Sequence, residues 1–262
     1  MFDERACASS GPGAAASGAA PWFFISQGLF WTSHYASENL SRTYNKLDPA
    51  IQSYWCASAI SSLHGAVISY WGFAAASTAG LWTTDDFFKT TSQTTGCCNV
   101  LVGYLCSDLA LSLYYGGRWP GNTANIIHHI TAILAFIQMS AWGFGHSLGM
   151  MIIVLETTTP FVNQRWFFEK TGMKVTHPAL YVANGLAMVI LWFLLRILLV
   201  GWVGIRLIAV REQVASMAWP QVLTVVCTYA VGYGLQFFWF YKILRGAIKA
   251  LSKVSGKKLH SG

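Results

Sequence analysis

The sequence is short of charge. Of its 262 residues only 10% are Asp, Glu, Lys or Arg, against roughly 25% in soluble globular domains. That is too little to cover a water-facing surface, and acidic residues are the scarcer sign, ten against seventeen basic. Cysteine is present six times, but no CxxC and no Cys/His ligand spacing occurs, so neither a zinc ribbon nor a thiol-redox motif is on offer. Cys56, Cys97, Cys98, Cys106 and Cys227 lie in or beside apolar runs, where cysteine serves as a small hydrophobe rather than half of a disulfide framework. The opening MFDERACASSGPGAAASGAA lacks the basic start of a secretory signal and reads as a flexible tail over 1–20. No internal repeat stands out.

Apolar sequence is abundant: hydrophobic residues make up 54% of the chain and mean hydropathy is +0.45. Runs of about 18 to 25 apolar residues recur, each long enough to cross roughly 30 Å of hydrocarbon as a helix. Seven such segments fall at about Ala14–Tyr35, Ser53–Gly80, Cys97–Tyr115, Ala124–Trp142, His146–Asn163, Pro178–Val203 and Trp219–Leu244. The first is interrupted by Pro21, and the fifth is short. The expected fold is therefore all-α: a polytopic transmembrane bundle of about seven spans. Its organisation is a first span and loop over 21–48, a main transmembrane domain over 49–246, and a basic tail over 247–262.

Twelve tryptophans and eleven tyrosines suit the aromatic belts at membrane interfaces. The net charge of +7 sits in short connections and in the tail, beside apolar spans, which favours membrane lipids over nucleic acid as the acidic partner. With seven spans the termini lie on opposite sides. A cytosolic C-terminus puts twelve Lys and Arg on that side and four on the other, the asymmetry expected of cytoplasmic loops. The N-terminus is then lumenal. Asn39-Leu40-Ser41, a glycosylation triplet, falls on the cytosolic side and stays unmodified.

Polar groups inside such spans are costly, roughly 3 kcal/mol for an ionisable side chain at mid-helix, and they tend to face a cavity and pair. Asp108 and Glu156 are the two acids well inside the apolar segments. The stretch NIIHHITAI adds Asn125, His128 and His129. Counting along each helix puts Asp108, His128, His129 and Glu156 all roughly 6 to 11 Å inside the cytosolic boundary, with His64 somewhat deeper. Arg196 counts to a place near the opposite boundary, away from Asp108. Successive helix residues point about 100° apart, so the two histidines cannot face one direction together. Asn125 shares a face with each of them at four and three residues' distance. Glu156, Thr159 and Asn163 also share a face, and Pro160 must kink or end their helix.

Together NIIHHITAI, YLCSDLALSLYY, SSLHG and LETTTPFVNQRWFF resemble the TLC-domain family over about Ser53 to Leu244. That superfamily includes ceramide synthases and the translocating-chain-associated membrane protein. The resemblance implies an endoplasmic-reticulum or related endomembrane protein concerned with lipid homeostasis, its helices (six of them) surrounding a lipid-accepting cavity. In the ceramide synthases the histidine pair and acidic residues serve acyl transfer from acyl-CoA to a sphingoid amine, which by position implies His128, His129 and Asp108 here. Ceramide synthases carry an HDxxD-like run after the histidine span, where this chain has LETTTPFVNQRW with Glu156 its one acid. It is similar in that respect to the small TLC-domain-containing subgroup.

Three functions follow from these residues. In the first, His128 or His129 acts as general base or acyl carrier in transfer from acyl-CoA to a lipid amine or hydroxyl, with Asp108 orienting it. His64, Asn125, Glu156, Thr159, Asn163 and Arg165 would then bind substrate, and acyl-CoA would be a co-substrate with no resident cofactor. In the second, the same cavity binds, senses or carries a lipid without turnover. The third, a metal site, needs more than one adjacent histidine pair, which chelates one ion poorly, so no metal is expected.

Overall fold

The computed structural model describes residues 11–259, all of whose regular structure is helical. Seven long rods account for it. The first four are α1 (Gly11–Leu40), α2 (Pro49–Thr78), α3 (Ser92–Tyr115) and α4 (Asn122–Trp142). The fifth is composite: α5 (His146–Ile153), a 3₁₀ turn (Val154–Thr158) and α6 (Thr159–Lys170). A short α7 (Met173–Thr176) leads to the sixth, in which α8 (Pro178–Leu191) and α9 (Val200–Ala209) flank a π-helical stretch (Trp192–Leu199). After α10 (Arg211–Ala215) comes α11 (Trp219–Leu259). Four rods are long and apolar enough on their own to cross a membrane: Ser92–Arg118, Asn122–Trp142, Pro178–Ala209 and Trp219–Ile248. The protein is an all-α helical membrane bundle.

The rods follow the apolar segments but overrun their ends. The tail expected over 1–20 is helical from Gly11 onward; residues 1–10 lie outside the described part, as do 260–262 of the basic tail. Pro21 sits inside α1 without ending it. Pro160 lies in the first turn of α6, where a missing N–H costs no helical hydrogen bond. The chain changes to 3₁₀ winding just before it. The sixth rod reaches Ala209, six residues past its expected end.

Local chemistry sets several boundaries. Asp48 caps α2 by accepting from the Ala50 and Ile51 amides at 3.0 and 3.2 Å, satisfying donors that no helical carbonyl reaches. Thr91 and Thr94 cap α3 reciprocally at 3.2 and 3.0 Å, the geometry of a capping box.

The core lies where α2, α3, α4 and α5 meet, around Ile68, Cys98, Leu101, Phe136, Met150 and Ile153. Small residues let the rods approach, as membrane helices require. A Cβ added at Gly72 on α2 would lie 2.6 Å from Ile153 Cγ2, and one at Gly65 would lie 2.9 Å from the Glu156 carbonyl oxygen. Outside, Leu186, Ile190, Leu194, Leu198 and Ile205 stand exposed, which in water is an aggregation hazard and against lipid is a matched surface.

The two ends of the bundle differ. At the proximal end the connections 41–48, 116–121 and 171–177 gather aromatic rings. Tyr54 packs edge-on against Trp119 at 5.4 Å and Trp166 at 4.9 Å, and the Trp119 indole N–H donates to Ser53 at 2.9 Å. At the distal end the loop 79–91 is fastened down by Arg206, which donates to the carbonyls of Trp82 and Thr84 and pairs with Asp85 at 3.0 Å.

Candidate functional site

Two of the cavities in the bundle adjoin each other. The larger, ≈ 900 Å³, opens at the proximal end between α2, α3, α4, α6, α8 and α11. Its wall includes Asp108, Asn125, His128, His129, Glu156, Thr159, Asn163 and Arg165. The candidate residues thus converge from three rods, α3, α4 and the composite fifth, apart from His64 on α2. That imidazole stacks on Tyr104 at 3.8 Å with planes 16° apart and does not line the cavity; its Nε2 is buried without a hydrogen-bond partner among the described residues. The narrower cavity, ≈ 130 Å³, continues toward the distal end. The two share three side chains: His128, Glu156 and Arg196.

Adjacent on α4, the histidines are treated differently, as their 100° separation requires. His129 Nδ1 meets the carbonyl of Asn125, one turn earlier, at 2.7 Å, and its Nε2 meets Asp108 Oδ2 on α3 at 3.2 Å. A main-chain carbonyl can only accept, so Nδ1 carries a proton and Nε2 is committed to the carboxyl of Asp108. Both nitrogens of His129 thus have partners within the protein. His128 packs edge-on against Trp239 of α11 at 5.4 Å, and among the described residues no group hydrogen-bonds to its ring. Its imidazole faces both cavities.

Glu156 is held by the 3₁₀ turn, which Gly65 allows to lie against α2. Thr159 donates to its Oε2 at 2.7 Å, and Arg196 Nη2 lies 3.6 Å from Oε1. The place expected for Arg196 is corrected here: it meets Glu156 rather than lying near the far boundary. The depth count took the sixth helix to end at Val203, whereas it extends to Ala209, and the π-helical stretch turns Trp192 and Arg196 inward together. Arg196 is 5% exposed. Burying a guanidinium costs several kcal/mol unless its donors are met. Here Thr158 Oγ1 accepts from Nε at 2.6 Å, the Leu155 carbonyl from Nη2 at 3.2 Å and Gln236 Oε1 from Nη1 at 3.3 Å, while the Trp192 ring lies 4.6 Å away.

The remaining candidates serve as struts or rim. Asn163 donates to the Ser58 carbonyl and to Ser62 Oγ, both at 3.0 Å, tying α6 to α2. Arg165 stacks over Tyr181 at 4.3 Å on the proximal side. Trp239, Gln236 and Arg196 were not nominated as site residues from the sequence. A lone arginine in a run otherwise free of charge was the one available signal. Among the described residues no three His, Cys, Asp or Glu side chains are grouped closely enough to hold a metal ion.

Bundle and cavities together define a polytopic membrane protein with an internal chamber that ionisable groups from several rods line. Residues 54–245 match the TLC domain, and the chain belongs to that family. Among similar proteins, TLC domain-containing protein 4-B of Danio rerio is 30% identical over 257 residues, covering 91% of each chain. TLC domain-containing protein 4 of Homo sapiens is 27% identical over 241 residues, 90% of each. TLC domain-containing protein 4-B of Xenopus laevis is 28% identical over 239, 86% of each. Membership makes this a lipid-related membrane protein.

Proposed function

We propose that the protein transfers a fatty acyl group from acyl-CoA to the amine or hydroxyl of a membrane lipid, using His128 as the proton-handling group. The observation that carries this is the asymmetry of the histidine pair: His129 is bonded through both nitrogens, while His128 is unbonded at the junction of the two cavities. In the transfer His128 takes the proton from the lipid amine or hydroxyl as that group attacks the thioester carbonyl. The C–S bond then breaks, and the proton passes to the departing thiolate to give free CoA. Arg196 supplies positive charge beside the developing oxyanion, a contribution of the kind that often dominates acyl transfer. Asp108 and His129 are positioning residues that fix α3 against α4.

The same proposal places the protein in the endoplasmic reticulum or a related endomembrane, with its N-terminus lumenal and its C-terminus cytosolic. The proximal mouth of the large cavity then faces the acyl-CoA pool, and Arg165 and Lys242 on its wall suit the anionic phosphates of that co-substrate. The test is turnover of saturated acyl-CoA with mixed membrane lipids by purified protein. The His128→Ala variant is expected to lose it, and undiminished transfer in that variant overturns the role.

A second reading has its own support. Asp108 and Glu156 are both paired within the protein, as befits a chamber that holds a lipid without reacting with it. Mass spectrometry of co-purified lipid with and without added acyl-CoA separates the two: a bound lipid that acyl-CoA never converts favours binding or sensing.

A further inference from the structure

Several polar side chains on the wall of the narrow cavity share one property: their protons are already committed. Thr131 Oγ1 donates to the Ile127 carbonyl and Thr228 Oγ1 to the Thr224 carbonyl, both at 2.7 Å. The Tyr229 and Tyr233 hydroxyls donate to the Val200 and Ile197 carbonyls, both at 3.1 Å. A hydroxyl has one proton, so these oxygens have only lone pairs left to offer. Gln138, on the same wall, is alike in this. Its Nε2 donates to Thr224 Oγ1 at 2.8 Å, and that hydroxyl donates in turn to the Pro220 carbonyl at 2.9 Å. Thr224 must therefore accept from the amide, which fixes the amide's orientation. The other end of the amide, Oε1, is buried with no hydrogen-bond partner among the described residues.

A wall of acceptors selects a donor. Leaving a buried acceptor unmet is costly, and an alkyl chain has nothing to donate, whereas water donates twice. The cavity's ≈ 130 Å³ is several times the roughly 10–15 Å³ that one water needs, so a few molecules fit. On α4, Thr131 stands three residues beyond His128 and Gln138 a further seven, which keeps all three near one face of the helix. Ala135, Phe136, Leu148 and Val203 belong to the rest of the wall. They give water no partners and so confine it to the polar line, which reaches His128 where the large cavity begins.

We infer that the narrow cavity is a water site, a short file between α4 and α11 leading from Gln138 to His128, and that it gives the protein a second activity, the hydrolysis of acyl-CoA. When an acyl chain fills the large cavity, the narrow one is the space left for water beside His128. A water oxygen bonds to the thioester carbonyl carbon as His128 takes one of its protons. The C–S bond then breaks, the proton passes to the departing thiolate, and a fatty acid and free CoA result. The hydrolysis rests on the proposed acyl transfer for its thioester and its base; the water file does not.

Two measurements on purified full-length protein test the inference. Given palmitoyl-CoA in H₂¹⁸O without acceptor lipid, the wild type is expected to release fatty acid that carries ¹⁸O, read by mass spectrometry. Thr228→Val and Gln138→Leu each remove one acceptor and are expected to lower hydrolysis about five- to tenfold, the effect of one hydrogen bond, while transfer to mixed membrane lipids is kept. Ala135→Leu fills the cavity and is expected to act likewise, an arm that stands if a polar variant does not fold. The second readout is brief X-ray irradiation in H₂¹⁸O, which labels side chains beside bound water through hydroxyl radicals. Phe136, 3% exposed and on the cavity wall, is expected to be labelled in the wild type and spared in Ala135→Leu. An unlabelled Phe136 overturns the water file. Labelling with transfer but no hydrolysis, or with hydrolysis that no cavity variant lowers, overturns the second activity. Labelling with hydrolysis alone keeps the inference and sinks the transferase proposal; labelling with neither reaction keeps only the file.

Discussion

Replacing each histidine of the pair by alanine separates chemistry from architecture. His128 contributes to the fold mainly through its edge contact with Trp239 at 5.4 Å, and aromatic pairs of that kind are worth about 0.5–1.5 kcal/mol. Its loss is therefore a small stability change. As the proton-handling group it is expected to account for about 10²- to 10⁴-fold in transfer rate, which corresponds to about 3–5 kcal/mol of barrier. The His129–Asp108 pair has the opposite profile. Both side chains are nearly buried, at 11% and 14% exposure, and stranding one member of a buried pair typically costs about 3–5 kcal/mol. Asp108→Ala should thus lower the melting temperature in detergent far more than His128→Ala does. The two measurements, acyl transfer and thermal unfolding on the same preparations, then rank the variants in opposite orders. The reasoning is refuted if His128→Ala transfers at the wild-type rate, or if His129→Ala abolishes transfer while melting as the wild type does.

Arg196→Met is expected to destabilise by about 3–5 kcal/mol, because Glu156 is left buried without its cation; adding Glu156→Gln should recover much of that loss in a detergent unfolding series. Gly65→Ala is expected to cost about 1–3 kcal/mol by forcing α2 away from the Glu156 carbonyl, with acyl transfer falling as the carboxylate shifts; an unchanged melting curve would show that the contact yields freely. Asn39 lies in the last turn of α1 at the proximal end, so a glycosidase-sensitive shift in gel mobility should be absent from protein made in cells and would reverse the proposed orientation if present.

The bundle was legible because its signal is redundant. Each rod carries an apolar run many residues long, so an error at either end leaves the rod itself in place. The meeting of α3 and α4 through their polar groups was legible for a related reason. Asp108, His128 and His129 lie within seven residues of helix ends that a short connection defines, and a count of a few residues from such an end accumulates little error. Arg196 shows the limit. It lies eighteen residues beyond Pro178, the helix overruns its apolar stretch on the distal side, and the intervening π winding alters the rotation that an ideal helix would give. Neither departure has a marker in the sequence as plain as a proline or a cap.

The division of labour between two adjacent histidines is a further step that periodicity cannot make. The 100° rule says that His128 and His129 point differently; which one meets a carboxylate depends on where α3 lies around α4, a property of packing between rods. Gly103 on α3 bears on that choice, since an added Cβ would lie 2.6 Å from Trp22 Cβ on α1. The close α1–α3 crossing helps set where Asp108 stands relative to α4. A glycine five residues before the acid, on a different face of its helix, therefore helps decide which imidazole is tied down and which is left for the lipid. A larger residue at that position should loosen the Asp108–His129 pair without touching either side chain.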